Sequence, residues 1–377
     1  MQEGYFNYST RIMEGWWERR DFVHGWRQLN RRDRRWTPPY HPALVAALTP
    51  GRRPHMDRLA PALVRVEAMP GRPNREGEWR TQGLSGAFME QTVATAVILT
   101  DPRRRDRTAY LGLMSVANDV ESLERLLTAA LEQSWARGCT RLVGPTALSP
   151  HLGYGALQDH FHLSPPLYTP YQPPYAPEVM AAVLEPVQTR RFYVAEPTGA
   201  VEASGPARLR ALSLTADDAA THALLSTLLA AQDGDDFPPP DADEAAFLLA
   251  WWGALPLTAI VAEVEQTPVG CLLLQPDLSA VLRGTNGGRT WWGHAWLAWR
   301  RARRANTGRV VAWCVQPAYR KRGIGRQLWQ AALDVAHRRG WTEVGVGPVP
   351  EESAAAATLA AMGAQPRQRY TLYATEG

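Results

Sequence analysis

An α/β fold assembled from two related halves is what this sequence predicts, and three observations carry the prediction. The chain has 377 residues, long for a single core when domains run at about 150 residues each. A segment around residue 135 returns, without a gap, 202 residues later. The stretch Cys314 to Val346, CVQPAYRKRGIGRQLWQAALDVAHRRGWTEVGV, reads as strand, glycine turn, helix and strand. With 45% hydrophobic and 21% charged residues, the composition is that of a packed chain rather than a disordered one.

The repeat sets the organisation. AALEQSWARGCTRLV (Ala129 to Val143) aligns with AALDVAHRRGWTEVG (Ala331 to Gly345). Each copy reads as a helix stopped by a left-handed glycine, Gly138 or Gly340, and then a short buried strand. In the second copy Ile324, Leu328, Ala332 and Val335 recur at helical spacing and form one apolar face, while His337, Arg338 and Arg339 place cations in the last turn, where they suit the dipole. The small-residue stretch AEPTGAVEASGPAR (Ala195 to Arg208) is the expected boundary, giving domains over 1–200 and 206–377.

Charge and cysteine content exclude several function classes. A net charge of +4 is small for this length and does not by itself call for nucleic acid or a membrane. Lys321 is the only lysine, so arginine runs such as Arg31 to Arg35 and Arg103 to Arg107 reflect composition and are read as solvated surface. Three scattered cysteines, Cys139, Cys271 and Cys314, have no CxxC spacing, which argues against a disulfide framework or a metal site. The N-terminal residues lack an apolar signal core and no 18 apolar residues run together, so a cytoplasmic location is expected.

The chemistry concentrates at Arg320 to Gly325. The strand VVAWCV (Val310 to Val315) stops at Pro317 and is followed by RKRGIG, which opens a helix. The first N–H groups of a helix have no internal acceptor and sit at its positive end, so an anion fits there. Gly323 and Gly325 let a phosphate approach the backbone, and Arg320, Lys321 and Arg322 add charge. No GxxxxGK[ST] and no GxGxxG is present. The same offset in the first half lands on NDVESL (Asn118 to Leu123), with no glycine and two carboxylates, so only one half is expected to keep the anion-binding turn.

This turn resembles the R/Q-x-x-G-x-G/A signature of the GNAT superfamily of acyl-CoA N-acyltransferases, through Arg320, Gly323 and Gly325. The order of elements agrees. Helical segments at Ala219 to Ala231 and around Glu244 to Trp252 precede the strand pair TAIVAEV and VGCLLLQ, joined by a turn at Glu265 to Pro268. The first half, with RRWTPPYHPAL, GCTRLVGP and YTPYQPPYAPEVM, is similar to a bacterial group of two-domain GNAT proteins. The resemblance implies two tandem GNAT-like domains, each a mixed, mostly antiparallel twisted sheet flanked by helices, the first degenerate. It implies an N-acetyltransferase using acetyl-CoA, with a small-molecule or peptide amine attacking the thioester directly in a ternary complex.

What the resemblance implies for individual residues follows. The cofactor would lie against Trp313, Cys314, Val315, Arg320, Lys321, Arg322, Gly323, Ile324, Gly325 and Arg326, with its arm between the strands Val310 to Val315 and Trp341 to Val346. A main-chain N–H near Cys314 or Val315 would steady the thioester oxyanion. The tyrosine acid common in the superfamily is replaced by Leu359, which leaves Tyr370 and Tyr373 as substitutes. Glu263 and Glu343 are candidate bases, and Asp235, Asp236 and Phe237, in QDGDDFPPPDADE, are candidate acceptor contacts, with the aspartates favouring a cationic amine. The stretch Tyr168 to Pro177 is either a loop packed on its own domain or a wall of the acceptor groove.

Two other readings stay open. One is an acyl-CoA-binding protein without turnover. The other is a nucleic-acid- or membrane-associated protein, through WWGHAWLAWRRARRANTG (Trp291 to Gly308) or through Trp26 and Trp36 stacking on bases. No metal, nucleic acid or membrane partner is expected, and the chain is a monomer or homodimer.

Overall fold

The computed structural model describes residues 6–31, 33–70, 72–73, 79–80, 91–197, 205–213, 219–231, 237–290, 293, 295 and 305–376. Residues 232–236, with the expected acceptor contacts Asp235 and Asp236, and most of the tryptophan-arginine stretch 291–304 lie outside these.

The first half runs β1 (Phe6–Met13), α1 (Trp16–Asn30), α2 (His41–Leu48), α3 (Pro54–Leu59), β2 (Ala62–Pro70), β3 (Gln91–Thr100), β4 (Thr108–Val116), α4 (Val120–Trp135), β5 (Arg141–Thr146), α5 (Ala176–Ala181) and β6 (Glu185–Ala195). The second runs β7 (Arg208–Ser213), α6 (Ala219–Ala230), α7 (Ala242–Trp252), β8 (Thr258–Val264), β9 (Thr267–Pro276), α8 (Ser279–Gly284), β10 (Thr307–Val315), α9 (Ile324–Arg338), β11 (Glu343–Pro350), α10 (Ala354–Ala361) and β12 (Gln365–Ala374). The expected helices and the β8–β9 pair are present, and Glu265 and Gln266, both at positive φ, make its two-residue turn.

One thirteen-stranded sheet spans both halves in the order β1-β2-β3-β4-β5-β12-β6-β11-β10-β9-β8-β7, with the short strand Ala156–Leu157 beside β12. Among the described residues only β4 with β5 and β10 with β11 are parallel; the other pairs are antiparallel. The order reads as a mirror about the β12–β6 contact. Each half sends its last strand across: β6 of the first half pairs with β11, and β12 of the second pairs with β5. The expected boundary at Ala195 to Arg208 begins where β6 ends, after the crossing has been made.

Helix placement follows from apolar spacing. In α9 Ile324, Leu328, Ala332 and Val335 are buried against the sheet, each fully buried aliphatic adding roughly 1.5–3 kcal/mol. Gly138 and Gly340 end their helices at φ +79° and +68°, with open space where a Cβ would stand. Trp26 and Trp36 pack edge to face at 5.6 Å, both buried, so neither ring is available to a base. Among the described residues no helix is long and apolar enough to cross a membrane, and no group of His, Cys, Asp or Glu could hold a metal ion.

Because β6 and β12 are each completed by the other half, either half made alone leaves an unpaired strand edge. Separately produced 1–200 and 206–377 are expected to aggregate or melt well below the whole chain, and to recover its melting temperature when refolded together. Two halves that each melt cooperatively at the temperature of the full protein would contradict this.

Candidate active site

β10 and β11 run in register from Thr307 opposite Glu343 to Val310 opposite Val346, and then part. Two irregularities force the parting. On β10 the ladder to β9 slips so that Leu273 faces Ala312 and Leu274 faces Val310, leaving Val311 as a bulge. On β11 the chain passes through Gly347 at φ +110°, and its register to β6 shifts between Val346 and Val349. The result is a cleft of about 700 Å³ between the strands, bordered by Trp313, Cys314 and Val315 on one side and by Pro348 and Val349 on the other.

The exposed edge of β10 is readable from its hydrogen bonds. Gln316 N–H donates to Val269 O at 2.8 Å, toward β9. Alternation along the strand turns the N–H groups of Val315 and Trp313 the other way, into the cleft, whereas that of Cys314 faces β9. Of the two oxyanion donors the sequence suggested, Val315 therefore faces the cleft and Cys314 does not. The Cys314 thiol is also engaged: it is buried, donates to Leu228 O at 3.2 Å and lies 3.4 Å from Cys271 Sγ. It is a packing residue that borders the cleft.

At the mouth, Lys321 and Gly323 have φ of +58° and +84° and swing the chain into α9. Gly323 is the N-cap and makes no side-chain capping bond, so the N–H groups of Ile324, Gly325 and Arg326 open the helix without an internal acceptor. Trp313 holds this turn in place. It stacks on Trp329 at 5.7 Å, and a Cβ on Gly325 would stand 3.6 Å from its ring. Arg320 anchors the turn, donating through Nε to Val315 O and through Nη2 to Ala231 O, each at 3.0 Å. Lys321, Arg322 and Arg326 are exposed around the helix start, with Arg322 over the Tyr319 ring.

The first half has the same parted strands but fills them itself. Gln172 Nε2 donates to Met114 O at 2.9 Å and Tyr175 Oη to Val116 O at 3.1 Å, so the edge of β4 is taken by the YTPYQPPYAPEVM segment. Tyr171 Oη donates to Asp33, which its bonds with Arg35 and Tyr171 hold at about 2 despite burial. The cavity left there is about 90 Å³. The start of α4 is closed as well: Asp119 caps it by accepting from Ser122 N at 3.0 Å and from Tyr8 Oη at 2.8 Å. Burial pushes the Asp119 carboxyl up, but these bonds outweigh it and hold the group below its ordinary value, leaving a negative charge where an anion would have to sit. Tyr168, from the same segment, borders both cavities.

The expected catalytic groups are not brought to the cleft. Tyr370 is fully buried with Leu157 and Phe192, and Tyr373 packs in the core of the first half, its Oη 3.4 Å from Gln158. The physical reason is the position of β12: as a central strand, it has both faces covered. Glu263 sits on β8 paired to Arg210 at 3.1 Å, and Glu343 is paired to Arg367. Phe237 does border the cleft, as does Leu359. Sequence reasoning missed Tyr154 and His151, contributed to the cleft by the first half, and Arg309 on β10. Tyr154 Oη donates to Pro348 O at 3.1 Å and accepts from Arg190, whose guanidinium lies 3.9 Å above its ring. No local pattern marks these residues, because the crossing of strands between halves assembles them.

Residues 225–364 match the acetyltransferase (GNAT) family. Three solved structures are similar over nearly the whole chain. A tandem GNAT protein from the clavulanic acid biosynthesis pathway is 15% identical, with 99% of this chain and 98% of that one covered and a TM-score of 0.53. A GCN5-related glucosamine N-acetyltransferase region of a fungal multi-domain GH3 β-N-acetylglucosaminidase is 12% identical, covering 99% of this chain and 38% of that one, TM-score 0.57. A GCN5-related N-acetyltransferase from Anabaena variabilis is 9% identical, covering 98% and 72%, TM-score 0.53. No curated protein is significantly similar. The second half thus carries a segment that matches the acetyltransferase (GNAT) family, and the whole chain shares its fold with a tandem GNAT protein.

Gly323 has no atom within 4 Å of an added Cβ, so a side chain there meets only backbone strain. Gly323→Ala is expected to lower stability by about 1–2 kcal/mol in urea denaturation, while Gly325→Ala, with a negative-φ backbone and ordinary contact to Trp313, should leave the midpoint nearly unchanged.

Proposed function

We propose that the chain is an N-acyltransferase that takes an acyl group, acetyl in the simplest case, from acyl-CoA in the cleft of the second half and passes it to an amine. The observation that carries this reading is the uncapped start of α9, with its three N–H groups and surrounding cations, set at the mouth of a cleft whose strand edge presents Val315 and Trp313 N–H. The acyl donor supplies a diphosphate for the first and amide groups for the second. The residues fit it: Gly323 and Gly325 leave the backbone open to phosphate, and Lys321, Arg322 and Arg326 add charge.

The thioester carbonyl then meets a cleft-facing N–H of the same β10 edge, that of Val315 or Trp313, which steadies the developing negative charge. For the departing thiolate, Tyr154 is the acid that replaces the missing tyrosine: its phenol lies across the cleft, and Arg190 beside it stabilises the phenolate left after proton transfer. His151 donates from Nε2 to Pro238 O at 3.0 Å, which leaves Nδ1 as the ring nitrogen able to accept the amine proton. The second half would thus bind the donor and the first half supply proton-transfer groups.

Two measurements test this. Acetyl-CoA should raise the melting temperature, and Gly325→Glu, which brings a carboxylate to the phosphate position, should abolish the rise; unchanged melting of the wild type would exclude the reading. Tyr154→Phe should lower kcat by about 100-fold or more with the KM for acetyl-CoA within about twofold. A melting shift with no release of CoA across an amine panel would favour the binding protein without turnover, a reading kept alive by the absence of Glu263, Tyr370 and Tyr373 from the cleft.

A further inference from the structure

The floor of the cleft contains a buried arginine with unmet needs. Arg309 on β10 is 4% exposed. Its Nη2 donates to Gly347 O at 2.9 Å, but Nε and Nη1 are buried without a hydrogen-bond partner. Among the described residues no carboxylate is within ion-pair distance, Asp277 acting on it only from further away. Around it, the buried phenols of Tyr168 and Tyr370 have Gln275 and Thr169 as their polar neighbours. Burial pulls its pKa down to about 10; besides the Gly347 bond the guanidinium has the Phe192 ring at 5.4 Å, and a buried charge without an anionic partner is expensive to keep. The cluster is rich in donors and short of acceptors.

Its position says which ligand could reach it. Val310 packs with Ile324 and Leu328 on the α9 face of the sheet. Arg309, the preceding residue, points to the opposite face, where its cross-strand partner Gln275 bonds Trp252 O at the end of α7. The glycine turn that would grip the donor is on the α9 side, so Arg309 faces the side left for the acceptor. Arg309 and Tyr168 both border the cleft there, one from each half.

We propose that Arg309 and Tyr168 form an anion subsite for a carboxylate carried by the acceptor amine, so that the acceptor is an amino acid or a peptide with a free carboxylate near its amine. The inference rests on the acyl-CoA reading of the cleft. The Nη1 N–H of the guanidinium and the phenol O–H meet the carboxylate oxygens, a charge-assisted contact that neutral amides or simple amines cannot replace. The carboxylate in turn offsets the charge that the fold leaves buried.

The test uses product mimics, so no turnover is needed. With CoA at saturation, affinities are measured for N-acetyl-L-amino acids of varied side chain and for the matching carboxamides, on wild type, Arg309→Gln and Tyr168→Phe, with CoA affinity measured separately. At least one acid should bind wild type tenfold or more tightly than its amide. The ratio should fall to about one in Arg309→Gln and by a few fold in Tyr168→Phe, with CoA affinity unchanged. Equal binding of acids and amides, or a ratio that survives Arg309→Gln, would overturn the subsite while CoA binding leaves the parent reading intact. If Arg309→Gln does not fold, the wild-type ratio and Tyr168→Phe decide. Weaker succinyl-CoA but unchanged acetyl-CoA binding in Arg309→Gln, with the acid preference intact, would assign the guanidinium to the acyl group and also overturn it. Failure of wild type to bind CoA would sink both readings.

Discussion

The parting of β10 from β11 after Val310 and Val346 is the constraint on which the site depends. A bulge at Val311 and a left-handed Gly347 break the ladder from its two sides. Once the strands separate, the backbone donors of Val315 and Trp313 face a cleft instead of a neighbouring strand. Backbone groups left in such a place need partners. The uncapped start of α9 stands at the same opening, so strand edge and helix end ask for one extended ligand with acceptor atoms along its length and charge at its end.

The first half shows what happens when the same geometry is answered from within. Gln172 and Tyr175 bond the carbonyls of β4, Asp119 caps α4, and the remaining cavity is about 90 Å³ against about 700 Å³ in the second half. Its segment from Tyr168 to Tyr175 thereby does two things. It closes one cleft, and through Tyr168 it helps wall the other. The crossing of β6 and β12 fixes this arrangement, because it makes each half part of the other's sheet.

Much of the fold was legible because it is written locally. Apolar spacing in α9, the glycines at 138 and 340, and the β8–β9 pair needed only neighbouring residues to declare themselves. The turn at Gly323 was legible for the same reason: anion binding by a helix start is a property of a few consecutive residues. Strand exchange has no such local signal, since a strand paired within its own half and one paired outside it look alike in sequence. Tyr370 and Tyr373 illustrate the consequence. Three residues apart on β12, they face opposite sides of the sheet, and only the central position of that strand shows that both faces are covered. Arg309 was one arginine in an arginine-rich chain, and Tyr154 one tyrosine in a loop; each acquires meaning from a surface supplied by distant residues.

A crystal structure of the protein soaked with CoA tests the central claim most directly. Diphosphate density is expected within hydrogen-bond distance of the Ile324, Gly325 and Arg326 N–H groups, with pantetheine along Trp313 to Val315. Density bound at the α4 end of the first half, or none at the start of α9, would contradict it.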